Sequence, residues 1–191
     1  MKETIFGIEF EGNYKNAFTT KYFPEQNIRI GKGCTIGRGT IIRSNVVIND
    51  NVTIGNNCQI GNFVLIRENV TLGNGVKIGG FNSIESSAFI DDGTRTQSFC
   101  MISEFSVIGS NVFLGPFFNN PADNTIGQPG KIYNPQPSRI EDNCRIGSKV
   151  VVTPGNIIGK GTIIGAGSVV TKSTGRNELW YGNPASRRSK K

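Results

Sequence analysis

Two neighbouring columns of this sequence hold the side chains whose types could move a proton. Counted 18 residues apart, one column reads Asp50, Glu68, Ser86, Glu104, and beside it runs Asn49, Arg67, Glu85, Ser103. A carboxylate beside a substrate can accept a proton or orient an amine. The same residues could instead form a charged ladder in which Arg67 pairs with its acidic neighbours and only braces a surface. Glu68 and Glu104 are two repeats apart, about 10 Å in a stack of strands, so they are not a tight carboxylate dyad. The chain has no histidine, the side chain that most often acts as a base near neutral pH.

What positions these columns is a six-residue period. From Ile30, every sixth residue through Leu114 is Ile or Leu, with Thr96 the one exception in fifteen. The register resumes, offset by two, at Ile140, Ile146, Val152, Ile158, Ile164 and Val170. Two residues before each anchor stands a smaller side chain, and all four cysteines (Cys34, Cys58, Cys100 and Cys144) fall there. They read as small buried hydrophobes, not as a disulfide or metal framework. Three residues after the anchor, Gly or Asn dominates, as at Gly39, Asn51, Asn57 and Gly93. Such residues accept a left-handed backbone at a sharp bend. Each hexad is therefore a short strand and a corner, and three corners close an 18-residue coil.

A single coil cannot stand alone. Three buried anchors contribute about 1.5–3 kcal/mol each, against about 1–2 kcal/mol of backbone entropy for every ordered residue. Stacking, which joins the ladders and buries the anchors, makes the solenoid viable. The expected organisation is an N-terminal cap at 1–27, about seven coils over 28–175 with an extruded loop near 116–138, and a basic tail at 176–191. Phe63, Phe81, Phe99 and a fourth candidate, Phe117, occupy one corner column at 18-residue spacing. An outward phenylalanine ladder must be covered, either by another subunit or by a stacked base. Trp180 either caps the end of the solenoid or lies beside an adenine.

The net charge of +7 favours anionic partners. From Arg176 onward the tail carries Arg187, Arg188, Lys190 and Lys191 against Glu178 alone. It is either a solvated terminus or an aid in holding a phosphorylated ligand. No basic-aromatic motif for nucleic acid is visible. No apolar run is long enough to span a bilayer. The acidic start "MKETIFGIEFEG" is unlike a secretory signal, and a cytoplasmic protein is expected.

The repeated anchor-Gly pattern resembles the hexapeptide-repeat acyltransferases, and the resemblance covers about residues 28–185. Its most specific segments are "RIEDNCRIGSKVVVTPGNIIGKGTIIGAGSVVTKS" and "ELWYGNPAS", similar to the coenzyme A-binding end of that superfamily. The resemblance implies an all-β fold, a left-handed parallel β-helix. It also implies a homotrimer that takes an acetyl group from acetyl-CoA at a site between subunits. "QSFCMISE", residues 97–104, and "VFLGP" resemble a segment of the N-acetyltransferases that act on nucleotide-linked amino sugars. Gln97 and Glu104 match that segment, whereas Phe99 and Phe105 depart from it.

The resemblance makes Glu104 the candidate catalytic residue. Gln97, Glu68, Glu85, Asn119, Asn120 and Tyr133 are the candidates for substrate contact, the last three on the extruded loop. Backbone amides near Gly147, Ser148, Gly165 and Ala166 would hold acetyl-CoA, with Lys172, Arg187 and Arg188 at its phosphates. No metal is expected, and a γ-class carbonic anhydrase, whose zinc needs three histidines, is disfavoured. Many relatives use His to activate a hydroxyl. An alcohol is a very weak acid and needs such a base, while an amine titrating near 8 is already nucleophilic when neutral. The missing histidine therefore favours N-acetylation of an amino sugar. Sugar O-acetylation with Glu104 or Glu68 as base, and a non-catalytic trimeric scaffold, are the alternatives.

Overall fold

The computed structural model describes residues 27–189 and the backbone of two short strands, Glu3–Ile5 and Ile8–Phe10. From Arg29 to Val170 the chain runs through two-residue strands joined by four-residue corners, except where one loop interrupts it. Twenty-two such strands, three to a coil, make about seven coils. They stack in parallel into three faces. The first face runs from Arg29–Ile30 to Val169–Val170, the second from Thr35–Ile36 to Ile157–Ile158, and the third from Ile41–Ile42 to Ile163–Ile164. This is the parallel β-helix that the hexad period predicts.

The two positions of each strand explain the sequence pattern. In Thr53–Ile54 the threonine is exposed and the isoleucine buried, because successive side chains of a strand point to opposite faces. The anchors and the smaller residues two before them form one continuous core down the axis. Every coil bonds to the next through its backbone: Thr35 N donates to Val52 O (2.9 Å) and Gly37 N to Ile54 O (2.8 Å). The corners turn at the third residue after the anchor, where Asn51 has φ 58° and Asn57 φ 56°. At many corners the second residue also reaches back a coil, as when Asn56 Oδ1 accepts from Arg38 N at 2.8 Å. All four cysteines lie in the interior. Their thiols donate to corner carbonyls, Cys58 Sγ to Gly73 O at 3.1 Å.

Two anchors are polar, and each is satisfied inside the core, as buried polar groups must be. Thr96 Oγ1 accepts from Asn82 Nδ2 at 2.6 Å. Asn120 is fully buried, donates to Ser106 Oγ (2.8 Å) and Ser138 Oγ (2.9 Å), and accepts from Ser103 N (3.2 Å). These bonds move one expected boundary. The apolar register stops at Leu114, yet Phe117 still turns a corner at φ 60°, Phe118 is buried, and Asn119–Asn120 pairs with Met101–Ile102. The loop therefore starts at Pro121, not 116. It returns at Ser138, directly onto the Asn120 side chain.

The ends are covered by strands of a different kind. Leu179–Gly182 continues the third face beside Ile163–Ile164 and folds back as a hairpin with Ala185–Arg188. Trp180 packs on the core, so it caps the solenoid, and the expected basic tail contains this hairpin. At the other end the Ile8–Phe10 backbone pairs in parallel with Arg29–Ile30. The rest of the expected N-terminal cap lies outside the described residues. No helix among the described residues is long and apolar enough to cross a membrane.

Candidate active site

The corner that follows the first face carries both polar columns. Arg67 donates to Glu68 through Nε (3.1 Å) and Nη2 (3.3 Å), and its Nη1 lies 3.6 Å from Glu85 Oε2. Glu68 also accepts from Ser86 Oγ at 2.7 Å and Asn49 Nδ2 at 3.1 Å. Arg67, then Ser86 and Asn49, hold its carboxyl far below the ordinary carboxylate range. Glu85 accepts from Ser83 Oγ at 2.5 Å. The charged-ladder reading therefore describes Glu68 and Glu85. Glu68 accepts from three side chains, which makes it a poor base, and Glu85 is braced by Ser83 and Arg67.

Glu104, two coils above Glu68, is different. No basic side chain among the described residues forms an ion pair with it, and its partner is the phenol of Tyr133, which donates to Oε1. Tyr133 comes from the loop that leaves this same corner at Pro121. The topology thus brings Glu104, Glu68, Glu85 and Tyr133 together. Asn120 is not with them: its amide is enclosed in the core and pins the loop, so it is corrected from a substrate contact to a structural anchor. Asn119 occupies the outward position of the last strand before the loop, and its Oδ1 is buried without a partner. Gln97 sits at another corner, after the third face, with the strand Met101–Ile102 between it and Glu104.

That other corner carries the predicted cofactor residues. Gly147 and Ser148 lie one coil from Gly165 and Ala166, since Arg145–Ile146 pairs with Ile163–Ile164. The two glycine amides are used by the coil ladder: Gly147 N donates to Ile164 O and Gly165 N to Trp180 O, both at 2.8 Å. The N–H groups of Ser148 and Ala166 have no acceptor among the described residues. At several corners a side chain from the next coil fills that role, as Asn62 Oδ1 does for Ser44 N and Asn56 Oδ1 for Arg38 N. Ala166 has none to offer Ser148, so a donor is left open on each of two adjacent coils. Of the predicted cations, Lys172 is exposed, Arg188 lies 4.9 Å from the Tyr181 ring centroid, and Arg187 pairs with Glu178 at 3.1 Å. Glu178 also accepts from Trp180 Nε1 at 2.8 Å, so Arg187 braces the terminal hairpin.

The phenylalanine ladder runs up the same corner. Phe63, Phe81, Phe99 and Phe117 stack with centroids 4.9–5.0 Å apart and planes within 11°. All four are about half exposed and adopt positive φ, a conformation a side chain of this size rarely takes. Lys149 continues the column above them, at φ 55°.

Residues 27–58, 51–86 and 137–172 match the profile of the bacterial transferase hexapeptide family (six repeats). The chain belongs to that family. A Schizosaccharomyces pombe protein named as an acetyltransferase is 43% identical over 83 residues of this hexapeptide transferase, 41% of the chain and 40% of the relative. The match thus spans less than half of the relative's length. Among solved structures, a UDP-N-acetylglucosamine acyltransferase from Campylobacter jejuni superposes at TM-score 0.74. Its identity is 18%, covering 95% of this chain and 71% of that one. A hexapeptide-repeat acetyltransferase from Vibrio cholerae gives 0.56 at 23% identity, over 62% of this chain and 72% of its own. The acetyltransferase domain of PglB from Neisseria gonorrhoeae, solved with acetyl coenzyme A, gives 0.54 at 18%, over 63% and 52%. At these identities the solved structures speak to the fold, which is that of the hexapeptide transferases.

Proposed function

We propose that this protein is an acetyl-CoA-dependent N-acetyltransferase acting on the amino group of a nucleotide-linked amino sugar. The observation that carries this reading is the division of labour at the polar corner. Arg67, Ser86 and Asn49 tie down Glu68, and Glu104 is left facing a loop tyrosine in a chain without histidine. Acetyl-CoA supplies the acyl thioester. The open N–H groups of Ser148 and Ala166 suit the amide carbonyls of its pantetheine arm, and Lys172 and Arg188 suit its phosphates. Glu104 orients the substrate amine and accepts the proton it loses as the C–N bond forms and the C–S bond breaks, with coenzyme A leaving as its thiolate. Tyr133 holds Glu104 until the substrate arrives.

The cofactor corner and the acid corner lie at opposite ends of the first face, so one chain does not bring them together. A homotrimer, in which the cofactor corner of one copy meets the acid corner of the next, completes the site. The phenylalanine ladder on the cofactor corner supports such a contact. O-acetylation is the weaker reading, because a hydroxyl needs a strong base and Glu68 is saturated with donors. The test is thiol release from acetyl-CoA with a panel of amino sugars, free and nucleotide-linked, against the parent sugars. Release with amines only is expected. Release with hydroxyl sugars only would overturn the N-acetyl reading, and no release or coenzyme A binding would favour a scaffold.

A further inference from the structure

Away from both corners, the outward positions of the third face carry a row of cations. Lys77 pairs across adjacent coils with Arg95, Arg95 with Phe113, and Phe113 with Arg145. A cavity of about 440 Å³ opens over them, bordered by Gly93 and Asn111. The two arginines are held in place: Arg95 lies 5.1 Å from the Phe113 ring centroid, and Arg145 donates to the carbonyls of Asn111 and Cys144. No carboxylate among the described residues lies within 4.0 Å of the three cations. The acids of the adjoining corner are engaged elsewhere, Asp91 with Ser110, Asp92 with the Asn74 amide and Asp142 with Lys160.

Like charges on neighbouring strands repel, as at Lys77 and Arg95, and the row of three cations, with Phe113 between Arg95 and Arg145, has no internal counter-charge, so a bound anion relieves it. The row spans three coil steps, roughly 14 Å, longer than one carboxylate or phosphate. Guanidinium forks match phosphate oxygens, and Phe113 offers apolar surface to an organic group attached to them. We propose that this groove binds the diphosphate of a phosphate ester. The strand that carries Arg145 runs into Gly147 and Ser148, so the face that bears the groove leads to the corner with the open amides, while the groove itself borders the opposite corner at Gly93 and Asn111. Coenzyme A and a nucleoside diphosphate sugar share this chemistry. The inference stands apart from the acyl-transfer reading, since its readout is binding and not turnover.

The experiment is calorimetric titration of the full chain with inorganic pyrophosphate, coenzyme A and UDP, in the unaltered protein and in Lys77→Gln/Arg95→Gln. Arg38→Gln/Arg43→Gln, at exposed positions of the first coils, serves as the charge-matched control for two lost cations. The Lys77→Gln/Arg95→Gln variant is expected to weaken pyrophosphate binding at least about tenfold and to abolish the rise in Tm that pyrophosphate gives the unaltered protein beyond a sodium chloride control. Its own ligand-free Tm is expected to stay the same or rise, because repulsion is relieved. Weakening of coenzyme A along with pyrophosphate but not of UDP assigns the groove to the acyl donor, and weakening of UDP but not of coenzyme A assigns it to the acceptor's nucleotide. Unchanged affinity for all three overturns the proposal. So does dissociation of an oligomer without loss of pyrophosphate binding, which would mean that an acidic corner of a second copy fills the groove. If the variant does not fold, the Tm rise of the unaltered protein with pyrophosphate decides, and its absence overturns the proposal.

Discussion

Tyr133 donates its phenol to Oε1 of Glu104 across 29 residues of sequence, tying the extruded loop to the acid two coils above the Arg67–Glu68 pair. If Glu104 takes the amine's proton, Glu104→Gln lowers kcat by roughly 10²-fold or more and leaves coenzyme A binding intact. Tyr133→Phe keeps the carboxylate, so it shifts KM more than kcat. Steady-state kinetics on both variants separate the roles. Equal losses of kcat in the two would make Tyr133 a participant in the chemistry.

Glu68 links stability to pH. Its folded carboxyl lies below the ordinary value of about 4.3, chiefly because of Arg67. A depressed acid contributes stability above its unfolded pKa and loses it as pH falls through the folded value. Glu68→Gln is therefore expected to lower Tm at pH 7. The gap to the unaltered protein should close progressively below about pH 4. A constant gap across a Tm series from pH 7 to pH 3 would contradict this.

Asn120 is worth more to the fold than its place in the anchor column suggests. Asn120→Ala strands the Ser103 amide and the Ser138 hydroxyl and leaves Ser106 Oγ with Ser103 Oγ alone, at a cost of about 1–3 kcal/mol in urea unfolding. Proteolysis within 121–138 should also quicken, because Ser138 loses its tether to the core. Asn120→Leu restores an apolar anchor and should still destabilise. Unchanged stability in both would mean that the network contributes little.

The thiols give a simple check on the interior. Burial pushes Cys100 and Cys144 up to about 11 and raises Cys34 and Cys58 as well. At pH 8 none should react with a thiol reagent in native buffer, and all four should react in denaturant. Rapid labelling of any one in the native state would disagree with the packing.

The phenylalanine ladder predicts assembly. Asn accepts positive φ more readily than Phe, so Phe81→Asn/Phe99→Asn eases each coil while removing apolar surface. If the ladder joins the proposed homotrimer, sedimentation is expected to shift the variant from trimer to monomer, with the circular dichroism of the solenoid retained. A variant that stays trimeric would release the ladder from that role.

The repeat was legible because its physics is local. A two-residue strand must bury one side chain, and a sharp corner must accept positive φ, so isoleucine and asparagine mark every coil. Polar anchors were not legible. Asn120 breaks the column by residue type yet keeps the geometry through partners that lie 14–18 residues away, and this shifted the expected start of the loop. The acid corner was readable as two columns, but which acid Arg67 restrains depends on side-chain reach. Gln97 and Glu104 lie close in sequence and look like one motif, although a strand of the first face holds them apart. The Lys77–Arg95–Phe113 row has the same 18-residue spacing as the columns that were read, and following the outward strand positions would have found it. Its last member, Arg145, is displaced in sequence by the loop.

The hairpin Leu179–Arg188 also sets the length of the molecule. A stack of parallel coils has no intrinsic reason to stop, since its last backbone row offers the same donors and acceptors as every row beneath it. By doubling back antiparallel on the third face, with Trp180 over the core, the hairpin presents a row that another copy cannot extend in register. A chain shortened at Gly175 would keep its winding and expose that template, and would be driven towards joining copies tip to tip into filaments.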